Sequence, residues 1–292
     1  MKLLLCINEK SKVTQNILRL TIKLVKAFKA DLNIIVVGRK PSSYMDSEIS
    51  LTQQSLADWN LYHPGIDLLY WAFNKIIESG YISENPNVFQ PDNFIEENNR
   101  MRIVLPHSSG SKVKLILRNG KLLNELRNEN LEKDYELTIV EKPKSKRLIH
   151  NLIQFIDSSL LIVPNYDPDL NYSILLGINN TKYTKKAIIY SAFISKQFGN
   201  FVKSITVKKV KKSNIKKSKL IKWTKKYFTR LKVQYEYRLI IGQMVEKFIQ
   251  EAKNNHIIIV GQANKNEIYK YLFSSKPIEI AKKAVCPILV VK

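Results

Sequence analysis

The chain has 292 residues, 45% of them hydrophobic, which is about twice the usual domain length and enough apolar material for two cores. Its 48 Lys and Arg against 25 Asp and Glu leave a formal charge of +23, so it repels itself and attracts polyanions without choosing among them. Two cysteines, Cys6 and Cys286, lie far apart inside apolar runs, which excludes a disulfide framework, and no run approaches the roughly 18 apolar residues of a membrane helix.

From the N-terminus, KLLLCI reads as a strand, the polar loop after it leads into a helix with Ile17, Leu20, Leu24 and Phe28 at helical spacing, and DLNIIVV reads as a second strand. The short apolar run, broken at Asn8 and Glu9, is no signal peptide, and a cytoplasmic location is expected. Residues 40–112 exceed what a strand connection needs. Within them GIDLLYWAFNKIIESG predicts a helix carried by Leu69, Trp71, Phe73, Ile76 and Ile77, while YISENPNVFQPDNFIEENN and PHSSGS read as a proline-punctuated excursion. Then come the strand KVKLILRN, the helix KLLNELRNENLEK, the strand YELTIV, the helix RLIHNLIQFIDSS and the strand LLIVP.

The segment PNYDPDLNY, with two prolines and two aspartates, marks a domain boundary near residue 168, giving domains 1–168 and 169–292. Beyond it the opening pattern returns in outline. SILLGINNTKYTKKAIIYSAFISKQFGNFVKSITVKK repeats strand, loop, helix and strand, with Ile188, Ala192, Ile194 and Phe198 on the apolar side of the helix. The strand VQYEYRLI, the helix MVEKFIQEAKNN, the strand HIIIVG, the helix IEIAKKAV and the strand CPILVV complete the second copy. The expected fold is α/β: two tandem, open, mostly parallel, five-stranded, Rossmann-like sheets with helices on both faces.

Ligands of such sheets bind beyond the carboxyl ends of the strands. After HIIIVG stand Gly261, Asn264 three residues on, and the pair Ser274 and Ser275, followed by CPILVV. This stretch resembles the universal stress protein family, whose ATP-binding members carry G-x2-G-x9-G-S/T there and end in a similar strand. The spacing matches with no gap, but Asn264 and Ser274 replace two of the three glycines. The resemblance implies a nucleotide site, for ATP or AMP, built around Ile178, Asn179, Gly261, Asn264, Ser274 and Ser275, with Ser275 able to cap the following helix ahead of Pro277 and Glu279. It also implies that the acidic residue ending the first strand in ATP binders is here an amide, Asn8 or Asn179, which lacks the charge and presents a donor as well as an acceptor. Nucleotide binding is therefore expected to be weak or lost. In the first copy Glu141 stands at the place of Gly261 and KPKSKRLIH runs straight into a helix, so no ATP is expected there. Lys142, Lys144, Lys146 and Arg147 lie near enough to offset the carboxylate. The family also implies that the copies pair as a pseudo-dimer through their closing strands, LLIVP and CPILVV.

From Leu170 to Tyr235 there is no Asp or Glu, and residues 203–232 are crowded with lysine, including Lys208, Lys209, Lys211, Lys212, Lys216, Lys217 and Lys219. Ile215, Leu220, Ile221, Trp223, Tyr227 and Phe228 interleave with them as in an amphipathic helix. The segment is a solvated helix face, or else a polyanion surface for nucleic acid, an anionic membrane or an acidic protein partner. Scarce arginine argues against base-specific readout. The four histidines, His63, His107, His150 and His256, lack metal-ligand spacing, and neither cysteine sits in an activating context, so no enzyme, catalytic residue or metal site is expected. A stress-response or regulatory protein without catalysis is the leading expectation, with a polyanion-binding adaptor as the alternative.

Overall fold

A computed structural model of the chain describes residues 1–39, 59–60, 63–83, 85, 87–97, 99–105, 112–179, 181–209, 219–263 and 275–292. By internal packing the chain forms two compact units, 1–25 with 29–141, and 26–28 with 142–292.

In the first unit, β1 (Lys2–Ile7) leads through α1 (Lys12–Phe28) to β2 (Asp31–Gly38). The predicted helix stripe is the buried one: Ile17, Leu20, Leu24 and Phe28 are all buried. Next come α2 (Ile66–Glu78), a single 3-10 turn at Pro91–Asn93, β3 (Ile95–Glu97), β4 (Arg100–Leu105), β5 (Val113–Asn119), α3 (Leu122–Lys133) and β6 (Leu137–Glu141). The strand order is β6-β1-β2-β5-β4-β3, with β6, β1, β2 and β5 parallel and β4 and β3 antiparallel to their neighbours. Leu3, Leu4 and Leu5 of β1 are fully buried, as expected of a strand covered on both faces. The described part of the 40–112 excursion is thus more regular than its prolines suggest, since Ile95–Glu97 and Arg100–Leu105 pair antiparallel and extend the sheet. PHSSGS, residues 106–111, lies outside the described residues.

The second unit comprises α4 (Lys146–Phe155), β7 (Ser159–Val163), β8 (Ser173–Gly177), α5 (Thr184–Phe198), β9 (Val202–Lys208), α6 (Lys219–Arg230), β10 (Tyr235–Ile241), α7 (Met244–Ala252), β11 (His256–Gly261), α8 (Lys276–Lys283) and β12 (Ile288–Val291). Its order is β10-β9-β8-β11-β12-β7. Five strands run parallel, and β7 pairs antiparallel with β12, placing Leu161 opposite Leu289 and Ile162 opposite Ile288. The expected pairing of the two closing strands is therefore present. It also explains why the packing boundary falls after Glu141 while the repeat restarts only at β8: β7 hydrogen-bonds to β12 and α4 packs on α8.

Register makes the two copies comparable residue by residue. Cys6 of β1 pairs with Val140 of β6, and Gly177 of β8 pairs with Val260 of β11. One residue further on, Ile7 corresponds to Ile178 and Glu141 to Gly261, as the sequence pattern implies. Each copy is a mixed or parallel sheet with helices on both faces. Among the described residues no helix is long and apolar enough to cross a membrane.

Candidate functional site

Parallel strands place their carboxyl ends, and the loops that follow, along one edge of the sheet. In the second unit that edge holds Asn179 after β8, Lys208 at the end of β9 and Gly261 at the end of β11. The Thr184 hydroxyl lies 2.6 Å from both the side-chain Oδ1 and the backbone oxygen of Asn179 and 3.0 Å from Thr181 Oγ1. Thr184 itself is fully buried at the first turn of α5. The amide oxygen that would face a ligand is thus held by the protein's own loop, which makes Asn179 a loop-closing residue.

Gly261 explains itself in the same way. A Cβ at this position would sit 2.9 Å from Thr181 Oγ1 and 3.1 Å from the Thr184 nitrogen. The glycine permits close approach, but what approaches is the β8–α5 loop. Asn264 and Ser274 lie outside the described residues. Ser275 occupies the N-cap position of α8 in an extended conformation, and Pro277 follows in the first turn as expected. The capping bond expected of Ser275 is not formed. Pro277 supplies no N–H, which removes one of the two donors that a capping side chain takes. Glu279 accepts from Lys282 Nζ at 3.0 Å.

The corresponding place in the first unit carries the same hydroxyl pair. Ser11 Oγ lies 2.9 Å from Thr14 Oγ1 and accepts from the Thr14 nitrogen at 3.1 Å, while Thr14 Oγ1 donates to Glu141 Oε2 at 3.3 Å. A carboxylate side chain thus contacts the hydroxyl pair here, where in the other copy the loop packs directly against the Gly261 backbone. The chain then passes from Glu141 to α4 at Lys146 with no phosphate-loop length between them, and Ser145 caps α4 by accepting from the Leu148 nitrogen. Asn8 is exposed, with Cys6 Sγ donating to its Oδ1 at 3.4 Å. Lys142 is directed at the carbonyl end of α8, donating to the Lys282 and Ala284 oxygens at 3.0 and 2.6 Å, and burial lowers its pKa. Lys144, Lys146 and Arg147 are exposed.

Beside Asn179 the second unit holds a cavity of about 520 Å³ at the ends of β8, β9 and β10. Ile178 contributes to its wall, as do Ile205, Leu239, Met244 and Phe248, with Lys208 and Lys219. The walls supplied by β10 and α7 are absent from the sequence-based site. Their signal was the apolar run at the end of YEYRLII and the i, i+4 spacing of Met244 and Phe248.

In the basic segment Lys208 closes β9, Lys209 is exposed just after it and Lys219 opens α6, whereas Lys211, Lys212, Lys216 and Lys217 lie outside the described residues. The expected amphipathic helix is α6, with Thr224 and Phe228 buried, Trp223 stacked on Tyr227 at 5.0 Å, and Lys222, Lys225 and Lys226 exposed. Lys203 is paired with Glu251, a hydrogen bond that lowers the Glu251 pKa.

The first unit also contains a buried ionic cluster that composition does not announce. Arg100 Nε and Nη2 donate to the two oxygens of Glu129 at 2.8 and 3.0 Å, Arg118 Nε donates to Glu129 Oε2 at 2.8 Å, and Tyr135 donates to Oε1 at 2.8 Å. Glu132 accepts from Arg118 Nη2 at 2.7 Å. The set is packed between β4, β5 and α3, away from the strand-end loops. Among the described residues no three His, Cys, Asp or Glu converge to hold a metal ion. His63 packs edge-on against Trp59, His150 is half-buried, His256 Nδ1 lies 2.9 Å from the Ala252 oxygen, and His107 is outside the described residues.

No protein-family profile matches the chain, and no curated protein matches it in sequence. Solved structures do match. A universal stress protein from Archaeoglobus fulgidus superposes with a TM-score of 0.63 at 13% identity, covering 100% of this chain and 96% of its own. A candidate universal stress protein from Pseudomonas aeruginosa superposes with a TM-score of 0.61 at 10% identity, covering 100% and 92%. At such identities the likeness is one of fold: the chain has the universal stress protein fold in two copies.

Proposed function

We propose that the chain is a regulatory, non-catalytic protein of the universal stress protein kind, acting in the cytoplasm in a stress response, whose nucleotide recognition has been weakened or lost. The observation that carries this reading is the closure of the second unit's strand-end edge on itself. Asn179 Oδ1 is 2.6 Å from the Thr184 hydroxyl, and the place of a Gly261 Cβ is 2.9 Å from Thr181 Oγ1. A base or ribose held at that edge would have to displace these contacts, and an amide offers it no charge. The first unit favours a nucleotide still less, because the Glu141 carboxylate stands where phosphate oxygens would approach and the loop that would cradle them is missing.

Calorimetric titration of the full chain with ATP and with AMP tests the reading. Heats no larger than those of dilution, or a dissociation constant in the millimolar range, are expected, and incubation with ATP should release no phosphate above a protein-free control. Micromolar ATP affinity, or turnover, would overturn it.

A further inference from the structure

The cavity at the ends of β8, β9 and β10 has a chemistry of its own. Its volume of about 520 Å³ is that of a small-molecule site, within the roughly 300–1,000 Å³ usual for such pockets. Five elements meet around it, β8 among them through Gly177. β9 supplies Ile205 and Val207, β10 supplies Leu239, α6 supplies Leu220, and α7 supplies Met244 and Phe248. Phe248 reaches the sheet because β8 ends in Gly177, where a Cβ would lie 2.7 Å from the ring.

The polar part of the lining is what selects a ligand class. Thr206 Oγ1 donates to the Ile178 oxygen at 2.9 Å, and Asn179 Oδ1 accepts from Thr184. Both oxygens are committed within the protein, which leaves the Asn179 amide nitrogen and the Tyr237 hydroxyl as the neutral polar side-chain groups of the described lining, too few to match the several polar edges of a heteroaromatic base. An aliphatic chain has no such edges, and each methylene it buries is favourable. Among the described residues of the lining two cations stand, Lys208 at the end of β9 and Lys219 at the start of α6, and none is Asp or Glu. Among the described residues neither lysine is paired with a carboxylate. Apolar walls with ammonium groups contributed from two elements match an anionic head on an aliphatic chain.

We propose that this cavity binds a long-chain carboxylate, its chain lying among Leu239, Met244 and Phe248 and its head group neutralised by Lys208 and Lys219. The proposal rests on the regulatory, nucleotide-poor reading of the same edge and supplies the ligand class that reading leaves open. Met244, with its flexible thioether, suits a chain of variable shape.

The test titrates cis-parinaric acid, a fluorescent C18 carboxylate, into the full chain. A saturable rise in emission is expected, reversed by oleate and not by oleyl alcohol, ATP or AMP. The Leu239→Trp variant, which fills the cavity, should weaken probe binding by at least tenfold. The Lys208→Gln/Lys219→Gln variant alters no core residue, so it carries the test even if Leu239→Trp does not fold. It should bind the probe about tenfold more weakly and lose the preference for oleate over oleyl alcohol. Absence of saturable binding, equal displacement by the alcohol, or unchanged affinity in folded variants would overturn the proposal. If the probe fails to bind while ATP affinity stays weak, only the ligand class is wrong. Micromolar ATP affinity instead sinks the functional reading on which it rests.

Discussion

Arg100 and Arg118 stand directly opposite each other across the β4–β5 ladder, and both donate Nε to the same oxygen of Glu129, at 2.8 Å. Like charges facing each other on adjacent strands repel, so this pairing exists only because a fully buried carboxylate lies between them. Breaking such a pair leaves uncompensated buried charge. Glu129→Gln should therefore destabilise the protein by about 3–5 kcal/mol. Replacing all three residues together with apolar ones of similar volume should cost far less, since no charge is then stranded. Urea unfolding followed by far-UV circular dichroism separates the two outcomes, and a Glu129→Gln midpoint equal to wild type would refute the account.

The same residue sets an acid limit. Burial pushes the Glu129 carboxyl up, but the hydrogen bonds from Arg100, Tyr135 and Arg118 outweigh it and hold its pKa below the ordinary 4.5. A depressed folded pKa means that the stabilisation is present above the unfolded value and is lost as pH falls through the folded one. Stability should thus be level near neutrality and decline below about pH 4.5, with a flatter decline in Glu129→Gln. Urea midpoints from pH 7 to pH 3 check this, and parallel curves would contradict it.

This cluster also marks where sequence patterning stops being informative. The repeat is legible because KLLLCIN and SILLGIN are uninterrupted apolar runs, each followed by a helix with one apolar stripe, and both become central strands. β4 is not legible. RMRIVL places an arginine at every second position at its start, as a solvated edge would, yet Arg100 is 4% exposed because Glu129 neutralises it. KLLNELRNENLEK likewise reads as a polar helix, and it buries Glu125 and Glu129 rather than an apolar face. Pairing between distant charges leaves no period in the sequence. At the candidate site, the spacing of Gly261 and Ser275 points to the edge where β11 ends and α8 begins. What it misses is that Asn179 and Gly261 are taken up by Thr181 and Thr184, because a close approach of loop to strand looks the same in sequence as a close approach of backbone to phosphate.

The cysteines should be inert in the folded protein. Burial pushes the thiols of Cys6 and Cys286 up to about 12, so almost no thiolate exists at neutral pH. Both are nearly inaccessible as well. Ellman's reagent at pH 8 should find no thiol within minutes in the native protein and both thiols in denaturant. Rapid labelling of either in the native state would show that its strand opens.

The antiparallel contact between the closing strands predicts a steep response to charge. Leu161 lies opposite Leu289, and each is at most 2% exposed. Leu161→Asp would bury an unpaired carboxylate in the β7–β12 ladder and expose two apolar edges, at a cost of about 3 kcal/mol or more. Leu161→Ile conserves volume and should cost less than about 1.5 kcal/mol. Light scattering and thermal melts distinguish them, with aggregation expected of the first variant alone, and a soluble, fully stable Leu161→Asp protein would refute the role given to this pairing.

Gly261 and Glu141 occupy the same register position in the two copies, so matched substitutions test whether Gly261 serves a ligand or the fold. If the glycine serves the fold, its Cβ must collide with Thr181 Oγ1 at 2.9 Å and with the Thr184 backbone at 3.1 Å. The hydroxyl can shift, whereas the backbone nitrogen, fixed at the first turn of α5, cannot do so cheaply. Gly261→Ala should then destabilise the protein by about 1–3 kcal/mol with no ligand present. Adding Thr181→Ala should recover only part of that loss. Glu141→Ala removes a longer contact, Thr14 Oγ1 to Glu141 Oε2 at 3.3 Å, and should change stability by no more than about 1 kcal/mol. Thermal and urea unfolding of the three variants decide the matter. Equal stabilities for wild type and Gly261→Ala would mean that the glycine is not required by the loop packed against it, and the case for a strand-end edge closed on itself would fail with it.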